Sequence, residues 1–236
     1  MIWAEGFFFL RIAIIRNGVF MKTYKVHLIR HGLTQGNLDG RYVGARTDLP
    51  LCPEGVARLR RLQEDYDYPA ADKLYVAPHL RCRQTAHLLY PGVAEQEVME
   101  ELGELDFGRF EGKTLEELKG DPDFEKFAAG SPDAFIPDGE EIEEFAARCT
   151  LGIRTVIEDM MKGGVESAAV VVPGGVIMGL LAAFGYPRKR QLEWHCDDGC
   201  GYTLLVTPQL WQAAQAFEVI GIMPHGAQTP TPLSGR

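Results

Sequence analysis

The chain has 236 residues, 46% of them hydrophobic and 24% charged, enough to bury a sizeable core and inconsistent with a disordered or collagen-like chain. With 24 Lys and Arg against 33 Asp and Glu, the net charge of -9 argues against broad adhesion to nucleic acid or an anionic membrane. Any anionic partner must be drawn by a local basic cluster.

The first segment, 1–20, holds Phe7-Phe8-Phe9-Leu10 and the apolar run 12–15, but Arg11 and Arg16 interrupt it well short of the roughly 20 residues that span a bilayer. Glu5 and the lack of a small-residue exit also weaken a leader reading. Met21 directly precedes the first convincing strand, so 1–20 reads as an extension or as upstream translation and 21–222 as one domain. Strands rich in Val, Ile, Leu and Tyr are expected at 24–29, 73–77, 168–172, 202–206 and 217–222. Pro53 opens a helix to about 66, and another follows Pro78. The stretch 113–136 is polar and broken by Gly120, Pro122, Gly130 and Pro132; it reads as short helices crossing the surface rather than core, a natural lid. The best helix starts near Asp138, with Glu141 completing a capping box. It carries Ile142, Phe145, Cys149, Ile153, Val156 and Met160 on one face and ends at Gly163-Gly164. The tail, 223–236, has little to bury and is expected to be flexible. The alternation of strands and helices predicts an α/β fold, a three-layer αβα sandwich around a mostly parallel central sheet.

Five cysteines, at 52, 82, 149, 196 and 200, have no repeating spacing and read as reduced thiols of a cytoplasmic protein. His195, Cys196 and Cys200 lack the second ligand pair of a structural zinc site, so neither metal nor cofactor is expected.

The first strand runs straight into Arg30-His31-Gly32-Leu33-Thr34-Gln35-Gly36-Asn37. Strand carboxyl ends are where open α/β sheets place ligands. Here a guanidinium fork, an imidazole, a permissive glycine, a hydroxyl and an amide converge, an inventory suited to phosphate. From 30 to 83 there are nine Arg and Lys against seven Asp and Glu, a local positive balance in an acidic chain. Arg58, Arg60 and Arg61 read as a solvated helix face.

With Asp48-Leu49-Pro50-Leu51-Cys52-Pro53-Glu54-Gly55, Ala77-Pro78-His79-Leu80-Arg81-Cys82-Arg83-Gln84-Thr85-Ala86, the segment 102–112, Pro137-Asp138-Gly139-Glu140 and Gly174-Gly175-Val176-Ile177 following in order, the chain resembles the histidine phosphatase (phosphoglycerate mutase-like) superfamily, in its small α-ribazole phosphatase-like branch. The resemblance covers 25 to about 206. It implies an enzyme in which His31 attacks phosphorus and becomes a phosphohistidine. Arg30 and Arg81 would clamp the phosphoryl oxygens, Thr34 and Asn37 lie near the same pocket, and Glu104 passes a proton to the leaving oxygen. The partner it implies is a small phosphorylated metabolite, without nucleic acid or membrane.

Two departures stand out. Pro173 occupies the place of the family's second histidine, where proline can neither donate a hydrogen bond nor carry charge, and Ala77 replaces a serine. His79 and His195 match no catalytic position and read as exposed or capping; His27 and His87 read as structural. The lid, with three Lys against six acids, does not offer the extra basic groups of a mutase. A metal-independent phosphomonoester hydrolase is therefore expected, with a phosphoglycerate mutase-like phosphotransferase and a degenerate phospho-ligand-binding protein as alternatives.

Overall fold

The computed structural model of the chain describes residues 22–131 and 133–227, together with the backbone of 15–16 and 19–20. Strands β1 (Ile15–Arg16) and β2 (Val19–Phe20) pair with each other as a small antiparallel ribbon. The rest of 1–20 lies outside the described residues.

Seven strands build the central sheet: β3 (Tyr24–Arg30), β4 (Lys73–Val76), β5 (Gln96–Val98), β6 (Ser167–Val172), β7 (Gly185–Tyr186), β8 (Gly201–Val206) and β9 (Phe217–Met223), in the order β5-β4-β6-β3-β8-β9-β7. Only β8 runs against the others, so the mostly parallel expectation holds. The middle strands are continuous apolar runs because both faces are covered: Val26, Leu28, Ile29 and Ala168 through Val172 are fully buried. Helix α1 (Gln35–Leu38) follows β3, and α2 (Pro53–Asp65) and α3 (Leu80–Leu89) pack together. Two short helices, α4 (Leu115–Leu118) and α5 (Pro122–Ala128), precede the long α6 (Ile142–Gly163), which packs on α7 (Gly174–Phe184); α8 (Pro208–Ala214) joins β8 to β9. The connections through α2 and α3 step one way along the sheet and that through α6 steps back. Right-handed crossovers therefore place the two helix pairs on opposite faces, giving the three layers.

Several boundaries differ from the sequence reading. Helix α6 begins at Ile142, not Asp138, because Asp138 takes a left-handed φ of 58° and cannot start a helix. Its carbonyl instead accepts from the Arg46 guanidinium, and Glu140 is drawn off toward Arg148. The far end is as expected, with Gly164 at φ 71°. The polar stretch 113–136 does form short helices, but it is not confined to the surface. Leu118 and Phe124 are 1% and 3% exposed, and Phe124 meets Tyr42 and Phe110 edge to face. The predicted tail starts too early: Met223 closes β9 fully buried, and His225 exchanges both backbone hydrogen bonds with Asp67. Residues 228–236 lie outside the described residues.

His27 is structural, as read. Its ring lies in the sheet between the Thr203 hydroxyl at 3.0 Å and the Ser167 hydroxyl at 3.2 Å, and burial lowers its pKa from 6.5 to about 4. The unfolded chain binds a proton there below pH 6.5 while the fold refuses it, so stability drains away as pH falls toward 4. The loss at pH 4 is about 3 kcal/mol. Thermal melts between pH 7 and 4 should show this slope, and His27→Gln should flatten it; an equal slope in the variant would assign the acid sensitivity elsewhere.

Candidate active site

The site forms where the parallel strands β3 and β6 end side by side. Arg30 is in register with Val172, and the His31 amide donates to the Val172 carbonyl at 3.2 Å, so His31 and Pro173 emerge together at the sheet's carboxyl edge. The turn at Gly32 is tightly packed against α2. A Cβ on Gly32 would lie 2.8 Å from Leu59, and the Gly32 amide donates to the Thr85 hydroxyl at 2.9 Å, joining this turn to α3.

Helix α3 delivers Arg81, which is 1% exposed. Its Nε donates to His31 Nε2 at 3.2 Å and one Nη donates to the Thr47 carbonyl at 3.1 Å. His31 Nδ1 lies 2.8 Å from the Gly32 carbonyl. A carbonyl can only accept and a guanidinium can only donate, so the proton sits on Nδ1 and the lone pair on Nε2. Burial, then the charges of Arg81 and Arg30, hold His31 well below an ordinary histidine pKa, which keeps Nε2 unprotonated.

Arg30 is fixed by the Cys196 carbonyl at 2.8 Å and by the Asp198 carboxylate at 3.2 Å. Both guanidinium groups nonetheless keep a buried donor without a partner among the described residues, Nε of Arg30 and Nη2 of Arg81. Buried charged donors are normally satisfied, so two beside one imidazole make a seat for an oxyanion. Helix α7 adds its amino end: Pro173 supplies no side-chain cap to its first turn, which leaves the positive end of the helix facing this edge.

Glu104 completes the cluster. It is 8% exposed, and burial raises its carboxyl pKa against the opposing pull of the Leu105 amide, Arg81, Arg30 and Arg148. It abuts the turn after β6 so closely that a Cβ on Gly175 would stand 2.8 Å from Oε1, while one on Gly174 would stand 3.1 Å from Arg30 Nε. An imidazole with an unprotonated Nε2, a cradle of guanidinium donors and a carboxyl biased toward its acid form are the parts for moving a phosphoryl group.

The predicted site residues are thus brought together with one qualification. The Thr34 hydroxyl and Asn37 Oδ1 are used on each other: the hydroxyl donates to Oδ1 at 2.9 Å and accepts from the Asn37 backbone N–H at 3.3 Å, a capping box for α1. The spacing of a polar pair three apart is itself a cap signal. Reading His79 as exposed or capping was wrong. It is 7% exposed and makes no side-chain cap; Asp48 caps α3 instead, through the Leu80 amide at 2.7 Å. His79 Nε2 accepts from the Glu104 amide at 2.8 Å. Arg58 is not merely solvated: it pairs with Asp197 at 3.6 Å, tying α2 to the loop that holds Arg30. His195 lies half-buried in that loop.

Sequence reasoning also missed Arg148. From α6 it binds Glu140 with two nitrogens at 2.6 and 2.8 Å and donates to the carbonyls of Glu101, Gly103 and Glu104 at 3.0, 2.8 and 2.9 Å. Its only local signal was an arginine beside the apolar stripe of a helix. Among the described residues no group of three or more His, Cys, Asp and Glu is placed to hold a metal ion, and no helix is long and apolar enough to cross a membrane.

Comparison with known proteins fits this geometry. The adenosylcobalamin/alpha-ribazole phosphatase of Escherichia coli K12 is 28% identical over 181 residues, 75% of this chain and 87% of that protein. The crystal structure of an alpha-ribazole phosphatase from Shigella flexneri superposes with a TM-score of 0.67 at 22% identity, covering 87% of this chain and all of that one, and so shares the fold. A phosphoglycerate mutase structure from Thermus thermophilus is 28% identical with a TM-score of 0.59, over 84% of this chain and 97% of that one. The pattern of the histidine phosphatase superfamily (branch 1) matches residues 26–218, and with it the chain belongs to that superfamily.

Proposed function

We propose that the protein hydrolyses a phosphate monoester of a small metabolite through a phosphohistidine on His31, using protein groups alone. The observation that carries this reading is the Nε2 lone pair held by Arg81 beside two unpartnered guanidinium donors. As Arg81 turns its Nε–H to a phosphoryl oxygen, the released Nε2 lone pair attacks phosphorus in line, the ester P–O bond breaks, and the departing oxygen takes the Glu104 proton. Gly32's carbonyl, accepting from Nδ1–H, steadies the positive charge that develops on the ring. Water then attacks phosphorus, gives its proton to the Glu104 carboxylate, and the P–N bond breaks to restore Nε2 and release inorganic phosphate. Arg30 and Arg81 hold the equatorial oxygens throughout, while Thr34 and Asn37 shape the wall behind them.

Hydrolysis is preferred to mutase chemistry because two cations of the lid region, Lys126 and Arg109, are already paired. Lys126 lies 2.6 Å from Asp133, and Arg109 lies 3.0 and 2.9 Å from Asp121 and Asp123. That leaves little to hold a phosphorylated product for return transfer. The segment 113–136 acts as the lid of one domain. A second reading, a phospho-ligand-binding protein with little turnover, is favoured by Pro173, which removes a donor from the cradle.

Rapid acid-free quenching of the protein with p-nitrophenyl phosphate should yield a phosphoenzyme stable to base and labile to acid, mapped by mass spectrometry to His31. Turnover without that species, or phosphate on another residue, would refute the covalent route.

A further inference from the structure

We infer that His79 is the positioning residue for Glu104, an inference that rests on reading Glu104 as the proton donor. The carboxyl must sit on the leaving-group side of the phosphorus, yet it rides on an irregular loop after the 3-10 turn Glu100–Leu102. Two residues register that loop. Arg148 takes its carbonyls at 101, 103 and 104. His79 takes its one amide at the decisive residue, accepting from the Glu104 N–H at 2.8 Å.

His79 is placed to couple the two halves of the site. It lies two residues before Arg81, at the start of the helix that carries the phosphate cradle, and packs against Gly103, where an added Cβ would stand 3.5 Å from Nε2. The bond requires an unprotonated Nε2, and burial together with the Arg81 charge lowers the His79 pKa to about 4, so the ring stays neutral and accepting. The imidazole touches no reacting atom: it fixes the distance between the acid and the guanidinium groups.

The test is leaving-group dependence across aryl phosphates, from p-nitrophenyl, whose oxygen departs without a proton, to p-methoxyphenyl, whose oxygen needs one. His79→Leu should lower kcat/KM, which reports only the phosphorylation step, for the p-methoxyphenyl ester by about tenfold or more and for the p-nitrophenyl ester by less than about threefold. His79→Gln, whose amide oxygen can still accept, should recover most of the loss. An equal fall across the series, or no fall, would overturn the inference. If the natural protein shows no His31-dependent turnover of either ester, the proposed reaction fails rather than the positioning. The carboxyl titration of Glu104 by carbon-13 NMR then decides: a shift toward an ordinary glutamate in His79→Leu but not in His79→Gln supports it, and an unmoved titration overturns it.

Discussion

Replacing His31 by alanine is expected to lower kcat for an aryl phosphate by about 10⁴-fold or more, with folding intact. The size follows from the role proposed for the ring: it would supply the attacking atom, and no neighbouring group stands ready to replace it. The five cysteine thiols are buried, and burial raises the pKa of Cys82 and of Cys196, which leaves poor nucleophiles. Phosphate affinity should survive, because the seat is built by Arg30, Arg81 and the end of α7. His31→Ala also removes a buried imidazole whose proton the fold refuses, so its melting temperature should suffer less at pH 5 than at pH 7 relative to the natural protein. Steady-state kinetics with isothermal titration of inorganic phosphate checks both parts, and residual turnover within tenfold of the natural protein would remove His31 from the nucleophile's place.

Pro173→His should act in the opposite direction, raising kcat by about 10²–10³-fold, roughly 3–4 kcal/mol of transition-state stabilisation. Position 173 has φ −65° and ψ 157°, an extended conformation that histidine adopts without strain, and it follows Val172, whose carbonyl binds the His31 amide. A ring there projects from the same sheet edge as His31 and offers the donor that proline lacks. The gain is opposed by two smaller effects. Proline restricts the unfolded chain, so its loss costs about 0.4–1 kcal/mol of stability. A third cation beside Arg30 and Arg81 is repelled until phosphate arrives, which makes the variant's melting temperature rise more on adding phosphate than the natural protein's. If the natural protein is as inactive as His31→Ala while Pro173→His is active, the binding reading prevails. If all the activity is already present with proline, the amino end of α7 supplies the missing stabilisation.

The strands and the reactive turn were legible in the sequence because their causes are local. The apolar runs of β3 and β6 read as buried strands, and Arg30-His31-Gly32 at a strand end has few other uses. What escaped depends on contacts between distant segments. Asp138 looked like a helix cap until Arg46, 92 positions away, claimed its carbonyl. His79 meets an amide 25 residues on, and Arg148 meets carbonyls more than 40 residues back; neither pairing leaves a spacing to read. At Thr34 and Asn37, residue types suited to phosphate also suit a helix cap, and the cap takes the Thr34 hydroxyl and Asn37 Oδ1. At the chain's end, a polar and Pro-rich stretch hid the pairing of His225 with Asp67 because an isolated bridge needs no apolar run.

Arg30 reaches the site already moored, with the Cys196 carbonyl and Asp198 on its terminal nitrogens and only Nε left over. The entropy of immobilising a long flexible side chain is therefore lost during folding and not at each encounter. In the proposed reaction such a ready-made berth would greet the incoming ester and the departing phosphate ion with equal ease, so the same rigidity that speeds capture would also slow the emptying of the pocket.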